Sequence, residues 1–67
     1  MTDLTEDDAI AHAVALHREG RLIDAVSAYR QILKSAPDHS GALHNLGVVL
    51  AEDGRVEEAL VLFDRAL

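Results

Sequence analysis

Four histidines, His12, His17, His39 and His44, are the residues whose type most invites chemistry. Imidazole is the commonest protein metal ligand and the side chain that titrates nearest neutrality. The four come as two pairs, His12 with His17 and His39 with His44, each pair five residues apart. Five residues turn a helix by roughly 140°, so neither pair shares a face. Helical metal pairs favour i, i+4 spacing, and no HExxH is present. Cysteine is absent as well. No metal site is expected. Catalysis fares no better. Ser27, Ser35 and Ser40 have no recognisable base and orienter. The four glycines are dispersed, so no phosphate-cradling loop forms. Glu57 and Glu58 are adjacent and point to different faces of a helix. Asp7 and Asp8 read as charges at a helix N-terminus. No catalytic residue and no cofactor are expected, and the chain is not read as an enzyme.

Composition narrows the partners. Sixty-seven residues allow one domain with a modest core. The apolar share of 49% is too high for a disordered segment. A formal charge of −6 argues against a phosphate backbone or an anionic membrane surface. Tyr29 and Phe63 are few aromatics for stacking bases. The start, MTDLTEDDA, is acidic where a secretory signal is basic. GVVLA at Gly47 is among the longest apolar runs, far short of the roughly 20 residues of a membrane span. A cytoplasmic chain with protein partners, and neither nucleic acid nor membrane, is expected.

The elements that position these residues repeat. EGRLIDA at Glu19 resembles DGRVEEA at Asp53, and the offset is 34 residues. At that offset Val14 falls on Val48, Leu16 on Leu50, Gly20 on Gly54, Arg21 on Arg55, Ala25 on Ala59 and Leu33 on Leu67. Tyr29 falls on Phe63 and Asp24 on Glu58. Matches cluster at the turns and on apolar faces, as expected of a packing unit repeated in space.

Each unit reads as two helices. Thr5 is a plausible N-cap of the first, with Glu6, Asp7 and Asp8 in its first turn. Ala9, His12, Ala13 and Leu16 fall on its inner face. Gly20 stops it. Leu22, Ala25, Val26, Tyr29, Ile32 and Leu33 line the second helix, which ends before Pro37. Asp38 or Ser40 caps the third, whose inner face is Leu43, Leu46, Gly47 and Leu50. After Gly54 the fourth presents Val56, Ala59, Leu60, Phe63 and Ala66. Ala13 is expected to face Ala25, and Gly47 to face Ala59, because two helices approach closely only where side chains are small. Tyr29 and Phe63 are expected to fill the space between successive hairpins, the Tyr29 hydroxyl finding a partner or water.

With Leu43-x2-Leu46-Gly47-x2-Leu50 followed by Ala59-x3-Phe63, and with Ala25-x3-Tyr29 before Pro37, the chain resembles the tetratricopeptide repeat. Leu43 and Leu50 stand where that family often has Trp and Tyr. Ala9 and His12 depart further, and suit a terminal repeat with a wet outer side. The resemblance implies an all-α fold of two stacked antiparallel helix–turn–helix hairpins, the start of a right-handed superhelix. One domain covers 1–67, with repeat one at about 6–39 and an incomplete repeat two at about 40–67.

By the same resemblance, the first and third helices line a concave groove for a peptide or helix. Spacing offers a stripe there independently. Ile10, Val14 and His17 lie roughly 100° from the core stripe of the first helix. His44, Val48 and Ala51 form its counterpart on the third. Arg18, Asn45 and Glu52 rim the groove. Alternatively, Ile10 and Val14 simply widen the core stripe. Some relatives of this type clamp a terminal carboxylate with Lys, Arg and Asn. Asn45 matches one such place, but Ile10 and Val14 cannot clamp, so C-terminal peptides are not expected ligands. Val56, Leu60, Phe63 and Leu67 form an apolar edge that a second copy could cover, giving a homo-oligomer. The alternative function is an N-terminal helical arm of a larger enzyme, such as a transferase, with the chemistry elsewhere.

Overall fold

A hydroxyl starts the fold. The Thr5 Oγ1 accepts the Asp8 N–H at 3.1 Å, and the Asp8 carboxylate accepts the Thr5 N–H at 3.3 Å. This reciprocal box satisfies two donors that an opening helix would leave orphaned. The structure, a computed structural model, describes residues 5–67, with only the backbone of Glu6. Residues 1–4 and the Glu6 side chain, part of the acidic stretch read above, lie outside the described residues. Helix α1 spans Glu6–Arg18, α2 Leu22–Ser35, α3 Ser40–Glu52 and α4 Val56–Ala66. No strand occurs among the described residues. The fold is all-α, and its helices pair as α1 with α2 and α3 with α4.

The two hairpin turns are copies of one another. Gly20 (φ 78°) and Gly54 (φ 85°) take the left-handed conformation that a Cβ disfavours. Gly20 N–H then donates to the His17 carbonyl and Arg21 N–H to that of Leu16, both at 3.0 Å. Gly54 donates to Ala51 at 3.0 Å and Arg55 to Leu50 at 2.8 Å. This double bond pattern closes the last turn of α1 and α3. Neither α2 nor α4 has a side-chain N-cap. Instead, an arginine clasps an acid three residues on. Arg21 Nη2 lies 2.8 Å from Asp24, and Arg55 Nε 2.5 Å from Glu58. The clasped acid also complements the positive end of the helix dipole. The repeated Gly-Arg-x-x-acid of the sequence is therefore a turn followed by a clasp.

The Pro37 turn departs from expectation in one detail. Ala36, ahead of the proline, leaves helical geometry (φ −135°, ψ 76°) and ends α2. The cap of α3 is neither Asp38 nor Ser40. It is His39, whose Nδ1 accepts the Ala42 N–H at 3.1 Å. A ring nitrogen held in its acceptor tautomer does here what a carboxylate or hydroxyl ordinarily does.

Helix α3 is the hub. It packs on α4 on one side and on α2, with a lighter touch from α1, on the other. Helices α2 and α4 do not meet, nor do α1 and α4. Ala42, Leu43, Leu46, Gly47, Val49 and Leu50 of α3 are all buried. Ala42 and Val49 lie off the expected stripe, which was drawn for a single neighbour, whereas a helix with neighbours on two sides is apolar around most of its circumference. The other helices bury one stripe each: Ala13 and Leu16 on α1, Ala25, Tyr29 and Ile32 on α2, Ala59 on α4.

Four residues, His12, Val56, Leu60 and Phe63, depart from their expected packing. His12 is exposed rather than on an inner face, because no described helix packs outside the first hairpin. Val56 and Leu60 are likewise exposed on α4. Gly47 meets the Phe63 ring: a Cβ built there would stand 2.6 Å from it. Phe63 thus packs within its own hairpin, against α3, and remains only half-buried. Tyr29, its counterpart one repeat earlier, is fully buried because α3 covers it.

Gly54→Ala is expected to cost about 1–2 kcal/mol through the backbone alone, since a Cβ there meets nothing within 4 Å. Gly47→Ala is expected to cost about 1–3 kcal/mol by overpacking, toward the lower end because Phe63 can swing outward. Adding Phe63→Leu should recover most of the second loss and none of the first. Urea denaturation of the four variants measures this, and equal rescue of both glycine variants would refute it.

Candidate functional site

The residues read as a groove come from both repeats. On α1, Ile10 and Val14 are half-buried and pack against the core, which leaves part of each facing out. His17 on the next turn is half-buried and Arg18 is exposed. On α3, Asn45 and Val48 are half-buried, while His44, Ala51 and Glu52 are exposed. Among the described residues one side-chain hydrogen bond ties the two helices: His17 Nε2 lies 2.5 Å from Glu52 Oε2. A carboxylate only accepts, so the imidazole donates. The side chains are 22% and 50% exposed, so water screens the pair and its energetic worth is modest. Its value is positional, because it fixes where α1 ends against α3. Neither repeat reads as the home of this pair when inspected alone.

Beneath the face lies a buried hydroxyl. Tyr29 is 0% exposed, and its hydroxyl has no hydrogen-bond partner among the described residues. The expected partner or opening to water is absent. Burial raises the hydroxyl above its ordinary pKa of 10.0, and the nearby Asn45 side chain pulls more weakly the other way. Asn45 nevertheless makes no hydrogen bond of good geometry to it. The amide that the sequence assigned to the groove rim therefore also faces the core.

The remaining histidines are dispersed by the fold. His44 leans on Phe63, with ring centroids 5.5 Å apart and planes inclined at 46°. It shares an open depression with Gly41, Ala66 and Leu67 at the α3–α4 end, beside residues of the apolar edge. His12 lines a hollow of about 550 Å³ at the opposite end, beside Ala9, Ala28 and Ile32. His39 is occupied as a helix cap. Among the described residues no three His, Asp or Glu side chains gather closely enough to hold a metal.

The apolar edge is spread along α4. Val56, Leu60 and Leu67 are exposed, and Phe63 is half-buried. Val61 and, on α2, Ile23 are exposed too, and the sequence had singled out neither. A hydrogen bond from Arg65 Nη2 to the Pro37 carbonyl at 3.2 Å ties α4 back to the α2–α3 turn. No sequence pattern announces a side chain that reaches a backbone carbonyl 28 positions away. No helix among the described residues is long and apolar enough to cross a membrane.

Comparison with known proteins gives a match to the tetratricopeptide repeat family over residues 10–67. Tetratricopeptide repeat protein 8 of Caenorhabditis elegans is 39% identical over 44 residues, which is 66% of this chain. The chain spans only 9% of that relative's length. No solved structure matches.

Tyr29→Phe is expected to stabilise the fold by about 1 kcal/mol, because it removes a buried unsatisfied hydroxyl. The neutral hydroxyl is favoured in the folded chain. Its contribution is therefore fully present below pH 10.0, the ordinary tyrosine value, and is lost as pH rises through the higher folded value. Denaturation midpoints of the parent should fall more steeply than those of Tyr29→Phe above that pH. Parallel curves throughout would show that Tyr29 is not the titrating group.

Proposed function

Since the chain belongs to the tetratricopeptide repeat family, whose repeats mediate protein–protein interaction, we propose that its α1–α3 face holds a partner peptide or helix. Ile10, Val14 and Val48 supply apolar contact; Arg18, Asn45, His44, Ala51 and Glu52 border it. The observation that supports this reading is the His17–Glu52 contact, which joins a side chain of the first repeat to one of the second. A face half apolar and half polar suits a segment that buries a few side chains and leaves its own polar groups wet. Nothing in this reading requires chemistry on the partner, and the chain acts as a binding surface rather than as an enzyme.

A second contact mode rests on α4. Val56, Leu60 and Leu67 project into solvent beside half-buried Phe63. Covering such a strip removes apolar area from water at about 25 cal/mol per Å². A second copy of the chain is the partner we assign to it. The oligomer and the groove are independent, so either reading stands without the other.

Val14→Asp and Val48→Asp are each expected to abolish capture of the groove partner in a pull-down, with helical circular dichroism unchanged. Folded mutants that retain every partner would overturn the groove assignment. For α4, light scattering after size exclusion should give a mass that rises with concentration and falls back to monomer in Leu60→Asp. A folded monomer at every concentration would remove the oligomer.

A further inference from the structure

We propose that the cleft between α2 and α4 is a second docking site, for an acidic amphipathic peptide segment. The two helices do not meet, and the gap between them is floored by Leu46 of α3. Leu33 on one wall and Leu62 on the other are half-buried, and Val61 is exposed. The cleft measures about 340 Å³ and is open along one side, which suits a few apolar side chains presented by a chain rather than an enclosed cofactor.

Its charge is what selects the occupant. The protein as a whole carries −6. Arg21 and Arg55 are neutralised by Asp24 and Glu58. Arg30 and Arg65, one on each wall of the cleft, have no acidic partner among the described residues. Arg65 spends one N–H on the Pro37 carbonyl, which orients it without neutralising it. Glu58 also borders the cleft, but Arg55 engages both of its carboxylate oxygens, at 2.5 and 3.0 Å. The uncompensated charge of this cleft is therefore positive on an otherwise acidic molecule. Guanidinium groups recognise carboxylates through paired N–H donors. A segment that places Leu or similar side chains on one face and Asp or Glu beside them meets both demands at once. This surface includes none of the residues assigned to the α1–α3 face and none of Val56, Leu60, Phe63 and Leu67.

Net charge and local charge predict opposite preferences, and that makes the test sharp. A fluorescein-labelled helical peptide with Leu on one face and Glu elsewhere is titrated with the full chain by fluorescence anisotropy. Its Lys-for-Glu counterpart is titrated in parallel. The Glu peptide is expected to bind, more weakly as salt rises, and the Lys peptide not to. Arg30→Glu should weaken binding by about tenfold or more, as loss of a charged hydrogen-bonding partner implies. Val61→Asp should weaken it too, while Val48→Asp on the opposite face should leave it unchanged. Equal or tighter binding of the Lys peptide would overturn the proposal. So would Arg30→Glu binding like the parent, or loss on Val48→Asp alone, which would assign the peptide to the α1–α3 face. Reversal of self-association by Arg30→Glu would identify the occupant as a second copy and likewise overturn it.

Discussion

The structure depends on the covering of α3 from both sides. Each hairpin by itself is two helices that share one seam, and a seam of Ala13 against neighbours such as Leu16 and Ala25 hides little area. Four helices become one object because α3 presents Leu43, Leu46, Val49 and Leu50 to α4 on one flank and to the first hairpin on the other. The Cα envelope of 39 × 25 × 14 Å is thin, so only the helix in the middle can be enclosed. Small domains of this size sit close to the balance between burial and chain entropy. Everything beyond α3 is by necessity half-covered, and the half-covered parts are the surfaces available for contact.

Geometry at the turns decides which faces those are. A left-handed glycine followed by an arginine reverses the chain within three residues and starts the next helix at once. The Arg21–Asp24 and Arg55–Glu58 clasps then hold the first turns of α2 and α4, which lack the usual side-chain cap. Both turns use the same hydrogen bonds, so each hairpin folds back on itself in the same way. The Pro37 turn between the hairpins is built differently, with His39 as cap and the Arg65 hydrogen bond holding the fourth helix to it. The same clasps consume two of the chain's six bases. They also occupy Asp24 and Glu58, so Glu58 does not neutralise Arg30 or Arg65 across the cleft between α2 and α4.

Much of the fold is legible in the residues, and the places where it is not share a cause. Helix periods, the two glycine stops and the Pro37 break all depend on neighbours within a few positions. Val49 was missed because its burial depends on a second partner helix that no local period announces. Spacing alone puts His12 and Leu60 on inner faces, yet no described helix lies beyond them to cover them. Tyr29 and Phe63 are matched at an offset of 34 residues, but one is sealed by α3 and the other sits half-open. For the candidate faces, spacing alone suggests the stripes on α1 and α3. It does not suggest the cleft, since its walls are α2 and α4 and its floor is a third helix.

Sequence alone determined the helices, their stops and the 34-residue recurrence, because backbone sterics and the 3.6-residue period act over short distances along the chain. It determined the Arg–acid clasps as well, although their meaning appears only when the turn is seen. Tertiary structure alone decided which apolar residues are enclosed, which hydroxyl is left without a partner, and which charges remain uncompensated. Each of those outcomes depends on what stands across a gap from the residue concerned. A side chain's spacing fixes the direction in which it points, and only the packed neighbours fix whether anything is there to meet it.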